Sequence, residues 1–302
     1  RRRCEIMAVQ TVTQNRFPGR IMIGLCGYYD VLLDDGRLVQ TVARGKFRKA
    51  KMKPLAGDLV VVEQNEERQG TFGCIDEILP RKNAFIRPPV ANIDRVIVVL
   101  SASVPQADLM LVDRLLVQAV RANVSPVICV SKCDEADEDF LRTIEDDYRV
   151  FDRFFTSSET GGGVEEFRAC LESGVCAVAG QSGVGKSSLL NAACPDFSLE
   201  VGNLSRKVER GKHTTRASML LPLAGGGFVV DTPGFSLMET ELMDPSELKA
   251  AYPEFNGMDD FCRFGADSLL AGEPGCGEAH VLAPGRAQRY GAILDEARER
   301  WK

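Results

Sequence analysis

The tract that most constrains this chain is Gly180-Gln181-Ser182-Gly183-Val184-Gly185-Lys186-Ser187. It stands between the apolar run Val175-Cys176-Ala177-Val178-Ala179 and Ser188-Leu189-Leu190-Asn191. An apolar strand, a glycine-rich loop and a helix start in that succession form a unit that belongs in a parallel α/β sheet. Gly180, Gly183 and Gly185 let the backbone wrap a phosphate and present its N–H groups. Lys186 is placed to neutralise β- and γ-phosphate oxygens and Ser187 to ligate Mg²⁺, while the helix N-terminus adds a favourable dipole. The whole tract from Gly180 through Gln181, Ser182 and Val184 to Ser188 is therefore assigned to nucleotide contact.

The sheet that this loop needs is visible around it. Arg95-Val96-Ile97-Val98-Val99-Leu100, Val127-Ile128-Cys129-Val130 and Phe228-Val229-Val230 are apolar, β-branched runs typical of buried parallel strands. Helical stretches at 107–122 and 163–171 lie between them. Two of these runs end in further nucleotide chemistry. Asp231-Thr232-Pro233-Gly234 offers a carboxylate that reaches Mg²⁺ through water and an N–H, that of Gly234, for a γ-phosphate. Alone the tetrapeptide makes ordinary turns, but 44 residues separate it from Lys186, which raises its specificity.

Ser131-Lys132-Cys133-Asp134 reads as a base loop. The carboxylate of Asp134 can accept from both N1–H and the 2-amino group of guanine, which adenine does not offer. The stem of Lys132 would cover the base. Asn is usual where Ser131 stands; a hydroxyl makes one hydrogen bond where the amide makes a pair, so a modest loss of affinity is expected. Ser157-Ser158, followed by Thr160-Gly161-Gly162-Gly163, fits a loop capping the guanine O6. Gly211-Lys212-His213-Thr214-Thr215-Arg216 occupies the first-switch position, with Thr215, ahead of Thr214, expected on Mg²⁺ and the γ-phosphate. The order is unusual. Base loop and cap loop come first, then phosphate loop, first switch and second switch, whereas an ordinary GTPase begins with its phosphate loop.

The N-terminal region has another texture. Ile21-Met22-Ile23-Gly24, Tyr28-Tyr29-Asp30-Val31-Leu32-Leu33, Leu38-Val39-Gln40-Thr41-Val42, Leu59-Val60-Val61-Val62-Glu63 and Gly73-Cys74-Ile75-Asp76-Glu77-Ile78 are short strands. The turn Asp34-Asp35-Gly36-Arg37 joins two of them. This spacing predicts a small barrel of the OB type. Residues 1–90 hold 16 Lys+Arg against 10 Asp+Glu, while the rest holds 21 against 33, so an acidic chain carries a basic N-terminal module. Arg44, Lys46, Arg48, Lys49, Lys51 and Lys53 are six basic residues in ten without an acid. On a barrel they form an RNA-backbone footprint. Phe47 among them is open to two readings, base stacking or core. Pro80-Arg81-Lys82-Asn83 and Arg87-Pro88-Pro89 read as a linker.

At 44% hydrophobic and 26% charged residues, and with no run of about 18 apolar residues, the composition fits a soluble protein and excludes a helical membrane span. Arg1-Arg2-Arg3-Cys4-Glu5 lacks the apolar core of a signal peptide. Ten scattered cysteines without a Cys-x-x-Cys pair point to a reduced, cytoplasmic setting.

The motif order, together with Gly-Gln-Ser-Gly-Val-Gly-Lys-Ser-Ser-Leu at 180–189, Gly-Lys-His-Thr-Thr-Arg at 211–216, Asp-Thr-Pro-Gly-Phe at 231–235, Arg44-Gly45-Lys46-Phe47-Arg48-Lys49 and Gly57-Asp58, resembles the circularly permuted GTPase family of RsgA (YjeQ). The resemblance implies GTP and GDP as ligands, with hydrolysis stimulated by the small ribosomal subunit and its rRNA. It also implies a role in late maturation of that subunit. The fold it implies is multidomain α/β. An OB-fold RNA-binding barrel spans 1–88, a permuted GTPase domain with a parallel sheet and flanking helices spans 89–243, and a small C-terminal domain, a zinc domain in the family, spans 244–302. A monomer without membrane contact is expected. Phe235 stands where many GTPases carry a water-orienting Gln, and the resemblance suggests that His213 supplies the missing polar group.

The C-terminal region departs from the family. Its zinc pattern is Cys-x4-Cys-x-His-x5-Cys, whereas here the offsets from Cys262 fall on Asp267 and Leu269, and Cys276 comes one residue late. Cys262, Cys276 and His280 fall short of the four ligands of a structural site, so a metal-free helical domain is expected. The permuted order puts Asp231 directly upstream of this domain, an arrangement expected to wire the second switch to it. Two rival functions remain at this level. One is a regulatory RNA-binding protein that binds GTP with negligible hydrolysis. The other, an ATP-dependent enzyme, is opposed by Asp134.

Overall fold

The computed structural model describes residues 15–65, 70–85, 88–195, 218–231, 244–256 and 282–301. The N-terminal strands β1 (Arg16–Leu25), β2 (Tyr28–Leu33), β3 (Leu38–Ala43), β4 (Leu59–Gln64) and β5 (Gly73–Ile78) run in the order β1-β2-β3-β5-β4. Pairing of β1 with β4 closes them into a barrel, and β3 lies parallel to β5. This is the five-stranded OB arrangement expected from the sequence. Alternation explains the packing: Val31 and Leu33 of β2 point inward with Ile21, Val60, Val62 and Ile75.

Part of the basic stretch forms a short helix, α1 (Gly45–Lys49), with Arg44 at its N-cap and Lys51 and Lys53 beyond its end. Phe47 is 7% exposed in the barrel core, which settles its role as packing. All six basic residues of the stretch are exposed. Arg44 pairs with Glu63 and Asp76, and Lys46 with Asp76 at 3.0 Å.

A short pair, β6 (Ala84–Phe85) and β7 (Val90–Ala91), leads into the second sheet. Its elements are β8 (Arg95–Ser101), α2 (Leu109–Arg121), β9 (Ser125–Ser131), α3 (Glu138–Asp147), β10 (Asp152–Phe155), α4 (Val164–Leu171), β11 (Val175–Ala179), α5 (Lys186–Ala193), β12 (Met219–Pro222) and β13 (Phe228–Asp231). The strand order is β10-β9-β8-β11-β13-β12, parallel throughout except for β12, which runs antiparallel to β13. The central strand β8 is buried along almost its whole length, as a parallel strand covered on both faces must be. β12 also pairs with β1 through Ile23 and Met219, so barrel and second sheet form one continuous eleven-stranded sheet.

The junction between them is built around Gly57-Asp58. A Cβ on Gly57 would lie 2.0 Å from the Ala91 carbonyl oxygen, and the residue has φ +91, so a side chain is excluded twice over. Asp58, fully buried, accepts from Arg81 Nε at 2.6 Å and from the Leu55 N–H at 2.8 Å.

Helices α6 (Pro245–Ala250) and α7 (Pro284–Trp301) follow. Tyr252, Phe255, Tyr290 and Leu294 pack around Leu248 and reach Val117 of α2. Arg286 and Arg289 of α7 enter a buried charge cluster. Arg286 donates to Asp113 at 2.6 Å and to Glu254, and Arg289 donates to Asp113 at 2.6 Å and Asp147 at 2.7 Å. The C-terminal helices thus dock on α2 and α3. Among the described residues no group of three or more Cys, His, Asp or Glu is arranged to hold a metal; Cys262, Cys276 and His280 lie outside those residues. No described helix is long and apolar enough to cross a membrane.

Candidate nucleotide site

Base loop, cap loop, phosphate loop and Asp231 all follow, or end, parallel strands, so one edge of the sheet gathers them. Ligands of open α/β sheets bind at this carboxyl edge. The phosphate loop leaves β11, and Leu189 N–H bonds the Gly185 carbonyl at 2.9 Å as α5 begins. Gly180 has φ +140, and a Cβ there would lie 2.1 Å from the Val99 carbonyl oxygen. That close approach of backbone to backbone explains a glycine at the head of the loop.

Lys186 Nζ donates to the carbonyls of Gly180 at 2.8 Å and Gln181 at 2.7 Å, which lays the amine across the loop. Burial pulls its pKa below the ordinary lysine value. A polyanion in the loop would favour the charged form and offer the amine better acceptors than carbonyls. Ser182, Ser187 and Ser188 are exposed, and Val184 is buried beneath the loop. The Gln181 side-chain oxygen is enclosed without a partner among the described residues.

The base loop is tied to the phosphate loop by side chains. Ser131 is 2% exposed, and its hydroxyl lies 2.6 Å from the Val184 carbonyl oxygen and 3.1 Å from that of Leu100. The single hydrogen bond of this hydroxyl therefore goes to main chain rather than outward. Lys132 holds a left-handed conformation (φ 58, ψ 38), which costs about 1–2 kcal/mol in a residue with a Cβ. From there its Nζ donates to the carbonyls of Gly183 at 3.2 Å and of Val104. Asp134 follows in the single 3₁₀ turn Cys133–Glu135, where its carboxylate is exposed.

The cap loop sits beside it, because β10 runs parallel to β9 with Phe155 opposite Val130. Thr156 N–H bonds the Val130 carbonyl at 2.7 Å, and Cys133 N–H bonds the Thr156 carbonyl at 3.0 Å. Ser157 is buried and receives the Thr160 N–H on its hydroxyl at 3.1 Å, so it shapes the turn; Ser158 is partly exposed.

The segment that follows β8 was not singled out from the sequence. It lies between the two loops: Val104 takes the Lys132 ammonium, and Ser103 donates to Glu135. Only the strand order, with β8 between β9 and β11, reveals that position. Of Asp231 the structure gives the place at the end of β13. His213, Thr214, Thr215, Gly234 and Phe235 lie outside the described residues.

The phosphate loop fits a nucleotide, since Gly180, Gly183 and Gly185 all hold the positive φ that turns its N–H groups, and among the described residues its lysine meets only carbonyls. The hydroxyl of Ser187 and the carboxylate of Asp231 are oxygen donors of the kind Mg²⁺ takes. Fold and loops together define a phosphate-loop nucleotide-binding protein whose motifs are circularly permuted. Residues 78–241 match the RsgA GTPase family, and residues 18–72 match the RsgA N-terminal domain. The small ribosomal subunit biogenesis GTPase RsgA of Caldanaerobacter subterraneus subsp. tengcongensis is 38% identical over 294 residues, which is 95% of this chain and 98% of the relative. That of Geobacillus thermodenitrificans is 42% identical over 292 residues, 93% of this chain and 98% of the relative. Among solved structures, YjeQ from Thermotoga maritima has a TM-score of 0.77 at 32% identity, covering 93% of this chain and 98% of its own. YloQ, a circularly permuted GTPase, has a TM-score of 0.75 at 32% identity, covering 95% of this chain and 96% of its own. The chain belongs to the RsgA GTPase family, as its motif order led us to expect.

Proposed function

We propose that this chain is a GTPase that binds the small ribosomal subunit and acts in its late maturation, hydrolysing GTP to GDP and phosphate with turnover stimulated by the subunit. Family membership supports the activity and the partner. The observation that carries the site is the pair of ties from base loop to phosphate loop, Ser131 to Val184 and Lys132 to Gly183. They fix the spacing between a guanine on Asp134 and a phosphate chain on 180–188.

In this reading Asp134 accepts from the guanine N1–H and 2-amino group, and the stem of Lys132 covers the base. Ser157 and Ser158 stand in the loop that caps O6. The N–H groups of 180–188 cradle the β-phosphate, and Lys186 turns from its carbonyl partners to the β- and γ-oxygens. Mg²⁺, when bound, would neutralise the phosphate oxygens, held by Ser187, Thr215 and, through water, Asp231. The Gly234 N–H senses the γ-phosphate, and His213 orients the attacking water. Arg44, Lys46, Arg48, Lys49, Lys51 and Lys53 supply the rRNA-facing surface of the barrel. Zinc has no part in this reading.

Two substitutions test the base loop. Asp134→Asn is expected to shift preference from guanine to xanthine nucleotides, measured by competition for a fluorescent nucleotide. Unchanged GTP binding would show that the base loop is misplaced. Ser131→Ala removes one buried hydrogen bond, about 1 kcal/mol, so nucleotide binding is expected to weaken about fivefold. An unchanged dissociation constant would mean that the tie does not position the base loop.

A further inference from the structure

The register of three strands places barrel and phosphate site on one row. Ile23 of β1 is opposite Met219 of β12, and Met219 is opposite Asp231 of β13. At about 4.8 Å per strand step, Asp231 stands roughly 10 Å from the barrel strand, across hydrogen-bonded backbone alone. Side chains reinforce the row. Ile23, Met219 and Leu221 are each no more than 5% exposed and form, with Leu25, an apolar cluster apart from the two main cores. Arg20 of β1 lays its guanidinium 5.1 Å from the ring centroid of Phe228, the first residue of β13, and donates to the Gly57 carbonyl at 3.3 Å. Barrel strand β1 therefore grips both ends of β13, at Phe228 through Arg20 and at Asp231 through Met219.

The position of this hairpin in the chain gives the grip its meaning. Residues 211–216 enter β12 after two intervening residues, and Asp231-Thr232-Pro233-Gly234 begins on the last residue of β13. The base, cap and phosphate loops hang on β9, β10 and β11, none of which pairs with the barrel or with β12.

We propose that Arg20, Ile23 and Met219 are positioning residues that carry occupancy of the barrel to the nucleotide: the β1–β12–β13 row is a stiff strut through which RNA bound on the barrel sets the end of β13 at Asp231. The proposal rests on the reading that the small subunit stimulates GTP hydrolysis, and it assigns the route.

The test measures GTP turnover of the full chain, with and without purified small ribosomal subunits, and subunit affinity in the GTP-loaded form. It compares wild type, Arg20→Ala, Arg20→Lys, and Arg20→Ala combined with Ile23→Cys and Met219→Cys. Directly paired residues of antiparallel strands lie about 4.5–5.5 Å apart at Cα, within disulfide reach. Arg20→Ala is expected to keep unstimulated turnover and subunit affinity within about twofold and to lose about fivefold or more of the stimulation. Arg20→Lys keeps a cation over Phe228 and should retain most of it. The oxidised cysteine pair, its disulfide verified by mass, should restore stimulation in the Arg20→Ala background, and reduction should remove it again. Full stimulation in Arg20→Ala, or no restoration by the disulfide, overturns the strut while leaving subunit stimulation standing. A wild-type chain that subunits fail to stimulate would sink the functional reading, and the strut with it.

Discussion

Arg286→Ala is expected to cost about 3–5 kcal/mol of folding stability, near the upper end for a single substitution. The guanidinium is 1% exposed and joins Asp113 and Glu254, which are 0% and 4% exposed. It also lies 4.6 Å from the Tyr252 ring centroid and 5.1 Å from that of Tyr148. Removing it strands Glu254 without this cation, leaves Arg289 as the remaining cation on Asp113 among the described residues, and opens a void between aromatic rings. Burial pulls the pKa of Arg286 down, but Asp113 and Glu254 together hold it above the ordinary value, so the group stays charged at every accessible pH. Urea unfolding followed by far-ultraviolet circular dichroism reads the loss, as a fall in the midpoint at unchanged slope. A cost below about 1 kcal/mol would mean that the cluster behaves like a solvated surface pair.

Lys186→Ala is expected to lower GTP turnover by about 10²–10³-fold, the scale for removing one preorganised donor from a developing anionic charge. The substitution should leave the fold intact, because among the described residues the amine contacts the loop carbonyls of Gly180 and Gln181 and no core group. Turnover at saturating GTP and the urea midpoint of the same preparation separate chemistry from stability. A loss under tenfold would remove Lys186 from the mechanism.

What could be read from the sequence was whatever local patterning controls. The run Tyr28–Leu33 and the run Val175–Ala179 are strands with the bounds their apolar pattern implies. The phosphate loop falls between strand and helix as its chemistry demands. Four strands are not visible in the pattern: β6 and β7, of two residues each, are too short to show one, and the other two fail for physical reasons. β10, Asp152–Phe155, is a four-residue edge strand that opens with two charged residues, and β12, Met219–Pro222, ends in proline and owes its place to pairing with a barrel distant in sequence. Residues 286–301 read from the sequence as a final charged helix. Nothing local distinguishes Arg286 and Arg289 from Arg298; their partners Asp113 and Asp147 are more than 140 residues away.

The same limit applies within the site. That Ser131 and Lys132 bind the phosphate loop depends on β8 lying between β9 and β11, which no spacing reveals. The departure from Asn at Ser131 thus has a structural meaning: a small hydroxyl suffices where the task is to hold the Val184 carbonyl. Permutation leaves the strand edge intact. It puts a basic barrel ahead of the base loop in the chain, yet beside the hairpin that bears Asp231 in space.

The measurement that bears most directly on this account is GTP turnover by the purified chain with and without purified small ribosomal subunits. Slow hydrolysis that rises severalfold or more on adding subunits, and that Lys186→Ala abolishes, is the predicted result. A rate that subunits leave unchanged would contradict it and favour a guanine-nucleotide-binding RNA-associated protein with negligible hydrolysis.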